Sequence, residues 1–158
     1  MTEFDHRYFM ERALKEAQIA SKELEVPVGA VIVKDGKIIG RGHNLTETLK
    51  DATAHAEILA ITAAAAHIGD WRLENCILYS TIEPCAMCAG AAVLSRIKTI
   101  VFGAKDERFG ACGSIFTIPT EPRLNHRIEI VSDIMETEAA ELMQLFFRKA
   151  RRGKDKPK

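Results

Sequence analysis

His55, Cys85 and Cys88 have the types and spacing of metal ligands, and Glu57 stands two residues from the first of them with a carboxylate free for other work. The imidazole comes from His55-Ala56-Glu57 and the thiols from Pro84-Cys85-Ala86-Met87-Cys88. Two thiolates and an imidazole suit zinc, whereas calcium or magnesium would require a shell of oxygens. Three protein ligands leave a zinc ion one position for water, the arrangement of a catalytic rather than a structural site. The i, i+3 spacing of Cys85 and Cys88 behind a proline predicts the first turn of a helix with both sulfurs on one face, where the dipole favours thiolate. His55 and Glu57 are two apart and on an ideal helix point to nearly opposite sides, so Glu57 is expected to be a general base and not a ligand. Zinc with an open position can lower the pKa of its water to about 7, and a nearby carboxylate can take that proton and return it elsewhere. Hydrolytic deamination needs that pair of operations.

Two plainer roles compete for the same residues. A C-x-x-C can be a redox pair, but such a pair has no use for His-x-Glu upstream. A closed structural zinc site needs a fourth protein ligand, and only Cys76 and Cys112 remain to supply a thiol. Cys76 precedes the apolar run Ile77-Leu78-Tyr79, as a buried strand cysteine does, and Cys112 lies in a glycine-flanked loop.

The elements that must position these groups can be read from pattern. A helix is predicted over 8–24, with Phe9, Ala13, Ala17 and Ala20 at helical spacing, then a strand over 27–33. Lys34-Asp35-Gly36-Lys37 reads as a hairpin turn into a strand over 38–42. A second helix is expected over 54–66, capped by Thr53 and ended by Gly69. A strand over 77–81, a helix over 85–95, strands over 99–102 and 128–131 and a last helix over 136–152 follow. This alternation predicts an α/β domain with a partly parallel sheet, both ligand motifs at the starts of neighbouring helices, and a site at one edge of the sheet.

Composition agrees with one enzyme-sized domain. The 158 residues, 47% hydrophobic with few aromatics, suit a single domain over 1–152 followed by a basic flexible tail over 153–158. The start, Met1-Thr2-Glu3-Phe4-Asp5, has neither a basic stretch nor an apolar one, and no uncharged apolar run approaches the ~18 residues of a membrane span, so a cytoplasmic location is expected. Four cysteines, two assigned to metal, do not make a disulfide framework. Formal charge is zero overall, yet residues 148–158 hold seven Lys or Arg against one Asp, so a +6 arm hangs on a −6 body. Such an arm can grip phosphates, with binding that weakens steeply in salt, or serve as a solvated helix end. Phe146 and Phe147 just before it favour RNA, since unstacked bases stack on such rings, although either ring also suits a core position.

The pattern H-x-E followed by P-C-x-x-C matches the known signature of zinc nucleobase deaminases. Together with Glu25-Val26-Pro27-Val28-Gly29-Ala30-Val31, Asn44, Thr53-Ala54, Glu83, Ala89-Gly90-Ala91 and Phe102-Gly103-Ala104-Lys105-Asp106, it makes the chain resemble the bacterial tRNA-specific adenosine deaminase family from about Tyr8 to Arg152. Asn125-His126-Arg127 and Phe146-Phe147-Arg148 point to the tRNA branch. The resemblance implies a cytidine-deaminase-like fold, a three-layer α/β/α arrangement with a five-stranded mixed sheet. It implies one zinc per subunit on His55, Cys85 and Cys88, proton transfer by Glu57, and a homodimer. The implied reaction is hydrolytic deamination of the wobble adenosine, position 34, to inosine in the anticodon loop of an arginine tRNA, with release of ammonia. Asn44 would hydrogen-bond the base beside Val28, Ala56 and Pro84, and Lys105, Asp106, Arg108 and Phe147 would hold flanking nucleotides. A free nucleobase or nucleoside deaminase of guanine or cytosine type would carry the same zinc motifs, and an RNA-binding module with structural zinc would have no use for Glu57. Asn44 alone also fits a turn after a strand. Two positions depart from the family: Ala52 stands where a proline usually precedes Thr-Ala-His, which slackens the loop entering the site, and Phe109 is bulkier than expected after Asp106.

Overall fold

The computed structural model describes residues 2–154, residue 154 by its backbone only. The first helix, α1 (Glu3–Lys22), starts five residues before the expected position 8 because Thr2 and Asp5 form a capping box. The Thr2 hydroxyl accepts from the Asp5 N–H and the Asp5 carboxylate accepts from the Thr2 N–H, which satisfies donors that would otherwise fray the turn. Strands β1 (Gly29–Lys34) and β2 (Lys37–His43) form the expected hairpin, with Asp35 and Gly36 at φ of 50° and 75° as a two-residue turn requires. A single helical turn, α2 (Thr46–Leu49), follows; four residues are too few to carry a period, and pattern reading missed it.

Helix α3 (Ala56–Ile68) ends, as expected, on Gly69 in the left-handed region at φ 81°. Its N-cap is His55 and not Thr53, whose hydroxyl donates instead to the Asp51 carboxylate at 2.7 Å. The remaining elements are β3 (Cys76–Ile82), α4 (Ala86–Leu94), β4 (Thr99–Ala104), a 3-10 turn (Ile118–Thr120), β5 (Glu129–Val131) and α5 (Glu136–Lys154). Residues 153 and 154 thus continue the last helix, and 155–158 of the expected tail lie outside the described residues.

The five strands lie in the order β2-β1-β3-β4-β5, with β1 antiparallel to β2 and β3, and β3, β4 and β5 mutually parallel. Successive strand residues face opposite layers. Ala30, Ile32, Leu78, Ile100 and Phe102 pack against Ala56, Ala60 and Ala64 of α3 and Ala89, Ala92 and Val93 of α4. Val31, Val33, Tyr79 and Val101 pack on the other face against Phe9, Met10, Ala13 and Leu14 of α1 and Ala139 of α5. This is the three-layer α/β/α arrangement with a five-stranded mixed sheet. Helix α3 sits unusually close to β2 because Gly40 and Gly42 leave it room: a Cβ there would lie 2.4 Å from the Ala60 carbonyl and 2.3 Å from the Ala56 carbonyl. Among the described residues no helix is long and apolar enough to cross a membrane.

Candidate active site

The central strand β3 runs out through Glu83 and Pro84 into Cys85, and its neighbour β1 begins at the same end, with the Gly29 N–H donating to the Thr81 hydroxyl at 3.1 Å. The ligand motifs therefore meet at the carboxyl end of the middle strand, the edge of the sheet at which crevices of α/β proteins form. Each motif opens a helix, and both do so by the same device. His55 and Cys85 are the N-caps of α3 and α4, with extended backbone (ψ 151° and 176°), while Cys88 lies in the first turn of α4. Pro84 precedes the cap instead of occupying the first turn. His55 is likewise outside the helix proper, so the ideal-helix angle between it and Glu57 does not apply. The extended cap lets the imidazole reach forward to α4, and Glu57, in the first turn of α3, is directed separately.

His55 Nδ1 lies 3.6 Å from Cys85 Sγ and 3.5 Å from Cys88 Sγ, and the three ligand atoms all fall within 4.8 Å of one another. Tetrahedral zinc, with Zn–S of about 2.3 Å and Zn–N of about 2.0–2.1 Å, places its sulfur and nitrogen ligands about 3.5–3.6 Å apart. The donor set and its spacing fit that ion. Neither Cys76 nor Cys112 joins the group among the described residues; Cys76 opens β3 at the far end, its thiol 3.7 Å from the Glu74 carbonyl. Glu57 is also outside it, though its carboxylate is buried.

The electrostatics separate these groups. The Cys88 thiol donates to Cys85, which together with the His55 contact outweighs burial and lowers the Cys85 thiol to about 4. The same hydrogen bond, with burial, pushes the Cys88 thiol far up. The hydrogen bond to Cys85 raises His55 against the opposing effect of burial. Burial raises the Glu57 carboxyl, and its own backbone N–H, the His55 charge and the Cys88 thiol only partly offset this.

The Asn44 backbone N–H donates to the Val28 carbonyl at 3.1 Å, and Leu45 N–H donates to the carbonyl of Ala54, just before His55. Ala56 is buried as the first residue of α3. The Pro84 carbonyl accepts from the Ala111 N–H at 2.8 Å. Lys105 and Arg108 are exposed on the loop after β4, and Asp106 turns a carboxylate oxygen back to the N–H groups of Arg108 and Phe109 at 3.0 and 3.1 Å. The extra bulk of Phe109 is accommodated by exposure, 68% of its surface being accessible. Phe147 is set apart from these: it lies on α5, across the sheet from α3 and α4, half-exposed, with its ring edge-on to Phe146 at 5.4 Å.

Sequence reasoning missed Glu83 as a functional support. Its buried carboxylate accepts from the N–H groups of Asp106, Cys112 and Ser114 at 3.1, 3.0 and 3.1 Å and from the Ser114 hydroxyl, tying the loop over 106–114 to the turn that carries Cys85. The signal was available, since an ionisable residue directly after the uncharged strand Cys76–Ile82 must find partners when it is buried. Burial alone would raise this carboxyl, but the Ser114 hydroxyl and the three N–H groups outweigh it and hold it below the ordinary range. A folded-state pKa below the unfolded one means the stabilisation is complete above the ordinary carboxylate pKa of about 4.3 and disappears as pH falls through the depressed value. Unfolding titrations between pH 7 and 3 are therefore expected to show Glu83→Gln about 1–3 kcal/mol less stable than the parent at pH 7, since an amide NH2 must then face donors, with the difference shrinking toward pH 3.

The loop into His55 has its own support. Ala54 N–H donates to the Asp51 carbonyl at 3.1 Å, closing a turn with Ala52 second, and the Asp51 carboxylate accepts the Thr53 N–H and hydroxyl at 2.8 and 2.7 Å. The second position of such a turn is where proline's fixed φ fits best. Ala52→Pro is expected to add about 0.4–1 kcal/mol by restricting the unfolded chain, read as a raised urea midpoint at unchanged slope.

The MafB19-like deaminase family matches residues 4–151. A protein of Streptococcus pyogenes serotype M18 (strain MGAS8232) named tRNA-specific adenosine deaminase is 47% identical over 150 residues, spanning 95% of this chain and 94% of its own. A protein of the same name from Aquifex aeolicus (strain VF5) is 51% identical over 144 residues, spanning 91% of this chain and 95% of its own. A solved structure from a study of A-to-I editing by tRNA:A34 deaminases at the wobble position of transfer RNA superposes with a TM-score of 0.82 at 44% identity, covering 85% of this chain and 98% of that one.

Proposed function

Because the chain belongs to the MafB19-like deaminase family, and within it to the tRNA-specific adenosine deaminases, we propose that it converts the wobble adenosine of an arginine tRNA anticodon loop to inosine by hydrolysis. The observation that carries the chemistry is the His55, Cys85 and Cys88 triangle, spaced for a tetrahedral ion, with a buried carboxylate beside it that does not ligate. His55 Nδ1 and the two sulfurs would hold zinc, which when bound supplies Lewis-acid activation of water. Glu57 takes a proton from the attacking water and delivers it to N1 of adenine as the oxygen bonds to C6. The carboxylate then takes the second proton from the hydroxyl now on C6 and passes it to the departing amine as the C6 carbonyl forms, so that adenosine and water become inosine and ammonia. Burial suits Glu57 to this work, because it raises the carboxyl above its ordinary value and so makes it a stronger base toward the water proton.

Asn44 would hydrogen-bond the base, with Val28, Ala56 and Pro84 around it. Lys105, Asp106 and Arg108, on the loop held by Glu83, would meet flanking nucleotides. Phe147 and the basic end of α5 would reach the RNA as part of a homodimer, in which a second subunit extends the surface. A loop nucleotide is already partly unstacked, so drawing it into a pocket costs a few kcal/mol at most, about the least such a reaction can require. The domain would span residues 1–152 with the basic tail beyond it, and a cytoplasmic setting follows from a tRNA substrate.

The test is an anticodon stem-loop with a wobble adenosine, run beside free adenine, guanine, cytosine and cytidine, with inosine and ammonia measured. Inosine in the stem-loop alone supports the proposal. Turnover of a free base alone would keep the hydrolytic chemistry and discard the tRNA.

A further inference from the structure

Asn44 is 7% exposed, yet its side chain is only half engaged by the protein. Its Oδ1 accepts from the Thr46 hydroxyl at 2.6 Å and from the Thr46 backbone N–H at 3.3 Å. A backbone N–H can only donate, so the atom facing it must be the carbonyl oxygen, and the orientation of the amide follows from that chemistry. At the other end, no described residue accepts from Nδ2. No fully buried side-chain nitrogen or oxygen lacks a partner among the described residues, so Nδ2 opens to accessible space as a free donor.

Thr46 is itself held in place. It begins α2, whose N-cap Leu45 offers no side-chain bond, and one turn of helix does not sustain itself. The wholly buried Glu25 carboxylate substitutes for a cap, accepting from the Glu47 and Thr48 N–H groups at 3.0 and 2.7 Å. The Leu45 N–H bond to the Ala54 carbonyl at 3.0 Å joins this unit to the segment entering His55.

We infer that Thr46, anchored through α2 by Glu25, is a positioning residue that fixes Asn44 with its NH2 group toward the base, so that the pocket demands a ring nitrogen able to accept there. The inference rests on the adenosine reading above. Adenine has three accepting ring nitrogens; N1 takes the proton from Glu57, which leaves N7 or N3 for Asn44. A ring lacking that acceptor would strand the amide donor, and sites built to hydrogen-bond a substrate discriminate strongly for this reason.

The experiment compares the parent protein with Thr46→Val and Thr46→Ser on stem-loops carrying adenosine, 7-deazaadenosine or 3-deazaadenosine at the wobble position. Valine keeps the shape and removes the hydroxyl, and the intrinsic reactivity of each analogue cancels when variants are compared on the same set. Thr46→Val is expected to lose about tenfold in kcat/KM on adenosine, and its discrimination against one of the two analogues should narrow by about tenfold, the scale of one oriented hydrogen bond. Thr46→Ser should restore both. A merely structural role would depress all three substrates alike and leave the ratios untouched, and that result overturns the inference, as does a parent protein that treats both analogues as it treats adenosine. A parent inert on the adenosine stem-loop overturns the substrate reading and the inference with it. Melting curves identify any variant that fails to fold, and Thr46→Ala then carries the same comparison.

Discussion

Glu57→Gln is expected to lower kcat for inosine formation by about 10²–10⁴-fold or more, the range a positioned general base contributes, while metal content and fold are retained. Glutamine has the size of glutamate and can still accept a hydrogen bond, but it cannot take a proton from water or hand one to N1 and the amine. The stability expectation runs the other way. Burial pushes the Glu57 carboxyl up, which means the folded protein disfavours its charged form, and a neutral amide removes that cost. The variant should therefore melt at or above the parent's midpoint, as expected where a residue is retained for function at the expense of stability. Single-turnover measurement of inosine with calorimetry on the same samples reads both quantities. A Gln variant that forms inosine at the parental rate would remove Glu57 from the chemistry.

The second large effect concerns the ligands. Elemental analysis should find about one zinc per chain, and Cys85→Ser or Cys88→Ser should reduce this to under about a tenth, because a hydroxyl at this position is a far poorer donor than thiolate. Activity should fall with the metal. Stability should fall too, since an ion bound only by the folded state adds about 4 kcal/mol when its concentration is a thousandfold above its dissociation constant. For a chain of this size that corresponds to a drop on the order of 10 °C in midpoint on chelation, reversed by added zinc. Chelation should not unfold the chain at ambient temperature. The ligands join two helix starts, but α3 and α4 are already fastened by the alanine-rich core that faces Ile32, Leu78 and Phe102. A Cys85→Ser protein with full zinc content would show that the sulfurs do not hold the ion.

The sequence by itself determined the donor types, the existence of an unused carboxylate at Glu57 and the alternation of strands and helices. Each of these is local. Ligand chemistry belongs to the side chain, and apolar periodicity is written along the segment that uses it, so β4, α4 and the Asp35-Gly36 hairpin turn were legible. The tertiary structure decided what depends on a partner distant in the chain. His55 became an N-cap and Thr53 did not, because Asp51 took the threonine hydroxyl and the histidine faces thiols 30 and 33 residues away. One-turn α2 exists because Glu25, 22 residues upstream, accepts its N–H groups, and no window of local pattern contains that bond. The loop bearing Lys105, Asp106 and Arg108 takes its shape from Glu83, 23 to 31 residues earlier, for the same reason. Phe147 shows the limit from the other side: its exposure and its layer are properties of how α5 packs on the sheet, and a pair of adjacent aromatics carries no record of which ring turns outward. Residue type sets which bonds a group can make, and only the folded chain sets which partner is close enough to make them.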